Sequence, residues 1–215
     1  IGLGEAYAKG FFKTECITTL IYIFAINTSE TDKLARIYDK TIHFITRIQN
    51  YYIKKNKKEG AKKNISSHYD IGNNLFETFL DTNMQYSSAV YDPQHTTLEE
   101  AQNNKMQLIC QRLELNANDH ILEIGSGWGG LAIYMAKKYG CRVTTITISE
   151  KQYAYAKSRI INEGLENSIS IKLCDYRDIH GRFDKIVSVE MIEAVGRQYY
   201  QDYFDISSRV LKTSG

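Results

Sequence analysis

The spacing of apolar positions changes period along the chain. Four short runs, residues 120–124, 142–148, 169–174 and 183–189, are rich in β-branched side chains and read as strands, with helical patterns at 131–139 and 150–163 between them. Strands alternating with helices predict βαβ units, and so an α/β fold on a parallel sheet. A helix is expected at 98–115 after the Thr96 and Thr97 cap, with Leu98, Ala101, Met106, Ile109 and Leu113 as its apolar face, and another at 199–211. Pro93 marks the turn before the first of these. Residues 17–27 are the most apolar stretch. At about 11 residues it is too short to span a bilayer and reads as a core helix. Lys9 and Lys13 precede it as in a signal peptide, but no small-residue cleavage pattern follows.

Where the first of the four strands ends, His120-Ile-Leu-Glu-Ile-Gly-Ser-Gly-Trp-Gly-Gly130 joins it to a glycine-rich turn through one carboxylate. Glycines allow a sharp strand-to-helix turn and a ligand's close approach to the backbone. Gly125, Gly127 and Gly130 also fit the dinucleotide pattern G-x-G-x-x-G, a weak signal by itself that leaves a dehydrogenase open. Glu123 shifts the balance. A carboxylate just before the turn repels a pyrophosphate and attracts an ammonium group, and S-adenosylmethionine carries that ammonium without a phosphate.

In an open parallel sheet the ligand crosses the carboxyl ends of the strands, so 149–152, Asp175 with Tyr176, and 190–193 are expected at one crevice. Glu150 or Gln152 suits ribose hydroxyls, so this position does not exclude NAD. Asp175 can accept from an adenine amino group while Tyr176 covers the ring; Asp175 also suits a helix N-cap.

These stretches, with others, resemble the cyclopropane-fatty-acyl-phospholipid synthase and mycolic acid cyclopropane synthase family. The resemblance runs over nearly the whole chain. It rests on His68-Tyr-Asp-Ile-Gly-Asn-Asn-Leu-Phe76, Met84-Gln-Tyr-Ser-Ser-Ala-Val-Tyr91, Leu122-Glu-Ile-Gly-Ser-Gly-Trp-Gly-Gly130, Thr147-Ile-Ser-Glu-Lys-Gln152, Cys174-Asp-Tyr-Arg-Asp178 and Val189-Glu-Met-Ile-Glu-Ala-Val-Gly196, in that order. Gly4-Glu-Ala-Tyr-Ala-Lys-Gly10 is similar to the family's small N-terminal helical domain.

The resemblance implies a Rossmann-like class I methyltransferase sheet (64–215) behind an N-terminal helical domain and basic linker (1–63). The activity it implies is methylene transfer from S-adenosylmethionine to the cis double bond of an unsaturated phospholipid acyl chain. An alkene is a weak nucleophile, so the chemistry needs in-line placement in a dry pocket, aromatic faces for the cation and a base for the proton lost at ring closure. In the family that base is bound bicarbonate, which Glu193 is expected to hold with help from Ser88, where many members have cysteine. Cofactor contacts implied by motif position are His68, Tyr86, Ser87, Glu123, Gly125, Gly127, Trp128, Gly129, Thr147, Ser149, Gln152, Asp175 and Tyr176. No metal is implied. Read singly, His68 also suits a capping turn, the Tyr86 and Ser87 pair a packed loop, and Glu193 a solvated helix position. The family continues with further strands beyond residue 215, so the chain is expected to be a piece of a longer enzyme.

Charge is uneven although the net is only +2: residues 1–67 carry +6 and the remainder −4. The basic density peaks at Lys54, Lys55, Lys57, Lys58, Lys62 and Lys63, which read as a solvated linker and also suit anionic lipid headgroups, worth about 1 kcal/mol per basic residue near the surface. An acidic second half without a recognised motif argues against nucleic acid. Cys16, Cys110, Cys141 and Cys174 show no paired spacing and are expected as reduced core thiols. The location expected is cytoplasmic, peripheral to the inner membrane face, and family members are often homodimers. A different lipid or small-molecule methyltransferase and an inactive cofactor-binding remnant stay open.

Overall fold

A computed structural model describes residues 3–27 and 73–213. The chain divides into two compact units, Ile1–Lys55 and Asn56–Gly215. The expected boundary after residue 63, the basic linker and His68 lie outside the described residues.

In the first unit, α1 spans Leu3–Ala8 and α2 spans Ile17–Ile26. The apolar segment is helical as expected, but it is not a core helix: no residue of α2 is buried, and Ile21, Tyr22 and Ile26 are more than half exposed. Apolar residues occur all round α2, so it has no polar face to turn outward and burial cannot be read from its period. No helix among the described residues is long and apolar enough to cross a membrane.

The second unit is built on four parallel strands, β1 (His120–Ile124), β2 (Arg142–Thr147), β3 (Ile169–Leu173) and β4 (Lys185–Val187), in the order β3-β2-β1-β4. Around them lie α3 (Asn73–Glu77), α4 (Leu98–Arg112), α5 (Gly130–Tyr139), α6 (Glu150–Asn162), α7 (Ile192–Val195) and α8 (Tyr200–Val210). β4 is shorter than its apolar run: Phe183 pairs with Leu211 in an isolated bridge, and the chain turns away after Val187.

Side chains alternate across the central strands, so each face meets its own core. Ile121 and Val143 join Met106, Leu131, Met135 and Ile160 on one face; Leu122, Ile124 and Ile146 join Tyr176, Phe183, Tyr203 and Val210 on the other. A strand covered on both faces is apolar throughout, which makes Glu123 the exception among the buried residues of β1.

α4 starts in a complete capping box between Thr97 and Glu100, as the cap predicts. Its buried face differs from the apolar one read in the sequence. Ala101, Met106 and Cys110 are buried together with Gln102 and Lys105, while Leu98 is exposed. The two polar side chains are drawn in by backbone carbonyls of the 85–87 segment. Cys110 and Cys141 are buried free thiols and Cys174 is half-buried, but Cys16 is exposed.

Candidate functional site

β1 leads into the glycine turn, where Gly125, Gly127 and Gly129 all have positive φ (+100°, +49° and +87°). Side chains resist that conformation. The amides of Gly125 and Ser126 donate to Ile146 O at 3.0 and 2.9 Å, fixing the turn against the end of β2. Gly130 needs the absence of a side chain for another reason: a Cβ there would collide with the backbone oxygen of Asn83.

A cavity of about 340 Å³ opens at this edge of the sheet. Glu123, Gly125, Gly127 and Trp128 line it from β1 and the turn, Thr147 and Gln152 from the end of β2 and the start of α6, and Asp175 and Tyr176 from beyond β3. Tyr86 and Ser87 complete a further wall. The topology thus brings together most of the positions expected to contact a cofactor.

Other expected positions serve elsewhere. Gly129 is the N-cap of α5, and Ser149 caps α6 by accepting from the Gln152 amide at 3.3 Å; neither lines the cavity. Ser88 and Glu193 are exposed and also stand outside the lining, with the Ser88 amide donating to Glu190 Oε1 at 2.8 Å. Glu150, weighed for a ribose, is exposed and outside the lining too.

Glu123 dominates the electrostatics. It is 3% exposed, and its Oε2 accepts a hydrogen bond from Thr145 Oγ1. Burial pushes its pKa up to about 8 against the opposing effect of that bond. An arriving cation favours the ionised form, so the site is poised for an ammonium and disfavours a phosphate.

Gln152 is fixed by Thr147, whose Oγ1 donates to Gln152 Oε1 at 3.0 Å. Asp175 is held by Arg177 through two parallel bonds, Nε to Oδ1 at 2.8 Å and Nη2 to Oδ2 at 2.6 Å, and it caps the 3-10 turn Tyr176–Asp178. Tyr176 stands edge-on to Tyr203 with ring centres 5.3 Å apart. Trp128 donates from Nε1 to Asn73 Oδ1 at 2.9 Å and sits against Phe76, with Tyr86 edge-on at 6.5 Å. Aromatic faces and one buried carboxylate give a site that favours a cation with an apolar body.

Glu190 lines the cavity, as its place after the fourth strand predicts. Several other residues here were not legible as site residues in the sequence: Met84, Gln85 and Arg177 line the cavity, and Lys105 and Gln102 support its wall. The available signal lay in α4, where Gln102 and Lys105 fall at helical spacing on the arc of Ala101 and Met106. Lys105 is buried, and burial lowers its pKa to about 8 although Glu190 and Asp81 favour its charged form. Among the described residues, no group of three or more His, Cys, Asp or Glu side chains could hold a metal ion.

A parallel sheet in this order, with an acidic strand end and a glycine turn at its crevice, has the class I methyltransferase fold. A solved coclaurine N-methyltransferase shares it, with a TM-score of 0.61 over 83% of this chain and 56% of its own at 23% identity. The family model described as mycolic acid cyclopropane synthetase matches residues 56–215, and the chain belongs to that family. It is 38% identical to the cyclopropane-fatty-acyl-phospholipid synthase of Escherichia coli K12, over 100% of this chain and 54% of that protein. It is 32% identical to the tuberculostearic acid methyltransferase UfaA1 of Mycobacterium tuberculosis, over 100% of this chain and 51% of that protein. Among solved structures, mycolic acid cyclopropane synthase CmaA1 complexed with SAH and CTAB aligns with a TM-score of 0.68 at 29% identity, covering 71% of this chain and 53% of that one. The chain spans about half the length of the curated relatives it matches.

Proposed function

We propose that the 56–215 unit binds S-adenosylmethionine and serves the transfer of a one-carbon unit to the double bond of an unsaturated lipid acyl chain, with phospholipid as the substrate and a cyclopropane as the product. The observation that carries this reading is the buried Glu123 carboxylate at the carboxyl end of β1, in the wall of a cavity otherwise lined largely by aromatic and aliphatic groups.

S-adenosylmethionine, when bound, supplies a methyl group on a cationic sulfur. Glu123 binds the ammonium of its amino-acid end, and Gln152, oriented by Thr147, offers hydrogen bonds to its ribose. Asp175, its carboxylate oriented by Arg177, accepts from the adenine amino group, and Tyr176 covers the ring. Trp128, Tyr86 and Met84 exclude water and set polarisable surfaces beside the sulfur.

Bicarbonate fits the described residues less directly. A bicarbonate on the Ser88 amide would displace the Glu190 carboxylate already bonded there, and Glu193 is exposed. His68 lies outside the described residues. The phospholipid substrate is supported by the likeness to a cyclopropane-fatty-acyl-phospholipid synthase; action on bilayer lipid at the cytoplasmic face and a homodimeric state belong to the same proposal.

Calorimetry with S-adenosylhomocysteine tests the cofactor site, with binding expected for the native chain and lost in Glu123→Ala. A folded native chain that does not bind sinks the reading. A second reading, in which the product is a methyl branch, is favoured by the likeness to a tuberculostearic acid methyltransferase. Product mass from unsaturated phospholipid vesicles separates the two, because ring closure adds one CH2 and a methylated, reduced chain carries two hydrogens more.

A further inference from the structure

We propose that Glu190 and Lys105 are positioning residues that clasp the 84–88 segment from its two sides and so hold Tyr86 and Ser87 in the wall of the crevice. The proposal rests on the reading of that crevice as a cofactor site.

Residues 84–88 have no helix or strand of their own to fix them. From the sheet side, Glu190 accepts the Ser88 amide at 2.8 Å across 102 positions of sequence. From the helix side, Lys105 Nζ donates to Ser87 Oγ at 2.6 Å and to Ser87 O at 3.2 Å, while Gln102 Nε2 donates to the carbonyls of Ser87 (2.9 Å) and Gln85 (3.2 Å). One short segment is thus gripped by a buried cation and an anion, from elements that are distant in sequence.

The backbone supplies an independent observation. Glu190 has φ +49°, the left-handed region where a side chain is strained and glycine is not. Strain of this kind persists where the surroundings over-determine it, and it clusters at functional sites. A purely structural turn is better served by glycine. What glycine lacks is the carboxylate that reaches Ser88.

That contrast makes Glu190→Gly the decisive variant. A merely structural turn predicts a protein at least as stable as the native one and otherwise unchanged. The clasp predicts a melting temperature equal to or above the native value, amide exchange in 84–88 at least about tenfold faster, and S-adenosylhomocysteine affinity at least about tenfold weaker, with exchange in 120–130 unaltered. Glu190→Gln keeps an acceptor for the Ser88 amide and should return affinity to within about threefold of native. Lys105→Met cuts the clasp from the other side and should speed exchange in the same segment. Native exchange at 84–88 in Glu190→Gly overturns the proposal, as does faster exchange with unchanged affinity. If the native chain binds no S-adenosylhomocysteine, the cofactor reading fails, and exchange alone decides whether the clasp exists.

Discussion

The glycine turn at 125–130 and the segment at 84–88 line the same cavity, yet they reach it by different routes. The turn follows a buried parallel strand, and its amides bond to the neighbouring strand. Its shape comes from a rule local in sequence, glycine where φ must be positive. The 84–88 segment is fixed by side chains of α4, by Glu190 beyond β4 and by Asp81, whose carboxylate accepts the amides of Asn83 at 3.1 Å and Gln85 at 2.6 Å. Sites of this kind can thus combine a wall written into a motif with one assembled by long-range hydrogen bonds, and a motif search finds only the first.

The turn side should show the largest effect. Glu123→Gln keeps the shape but removes the charge, and S-adenosylhomocysteine affinity is expected to fall about 100-fold, in the range for losing a buried charge partner. Stability follows the same group. The folded pKa of Glu123 is raised from the ordinary 4.5 to about 8, so between these values the folded chain holds a proton that the unfolded chain has released. Ligand-free stability from this group is therefore present below about pH 4.5 and lost as pH rises to about 8, by on the order of 4 kcal/mol. Urea unfolding at pH 5 and pH 8 should show that decline in the native chain and its absence in Glu123→Gln. Ligand binding near pH 7 should also release a proton, seen as a dependence of calorimetric heat on the buffer's ionisation enthalpy.

Gly130→Ala attacks the junction of the two walls. Its methyl group meets Asn83 O at a separation that real side chains do not adopt, and it also crowds Gln85, so one wall must move. A loss of about 2 kcal/mol is expected, as for overpacking, with weakened ligand binding. Thermal unfolding that leaves Gly130→Ala at the native midpoint would show that the walls do not meet this closely.

Thr97→Ala removes the capping box of α4, far along the helix from Lys105, and should cost about 1 kcal/mol with ligand affinity unchanged. A drop in affinity would mean that the 84–88 wall depends on the whole helix, beyond the two side chains that touch it. The smallest stability change is expected for Gln102→Leu. That variant loses two donor contacts to the 85–87 carbonyls, but it also removes a buried Oε1 that has no hydrogen-bond partner among the described residues, so stability should stay within about 0.5 kcal/mol. Exchange at 85–87 should nonetheless rise.

Family membership fits this division. The stretches that carried the resemblance include the glycine turn, Thr147 with Gln152, and Asp175 with Tyr176, and all three reach the cavity. Ser149 and Gly129 sit in the same motifs and yet cap helices, because a residue one or two places from a ligand-facing position at a helix start is the one whose side chain or φ must satisfy the backbone. Motif position gives neighbourhood. It does not separate the residue that touches a ligand from the one that shapes the turn.

The sequence by itself determined the parallel α/β sheet, the order of its elements, the glycine turn and the carboxylate at the end of β1. Those depend on period, β-branched content and the φ freedom of glycine, all of which act over a few residues. Only the tertiary structure decided that Glu190 takes the Ser88 amide, that Lys105 and Gln102 turn inward on a face otherwise apolar, and that α2 leaves its apolar side chains exposed. The reason is physical. A buried polar side chain is stable only where partners from distant parts of the chain meet it, and no local pattern records that meeting.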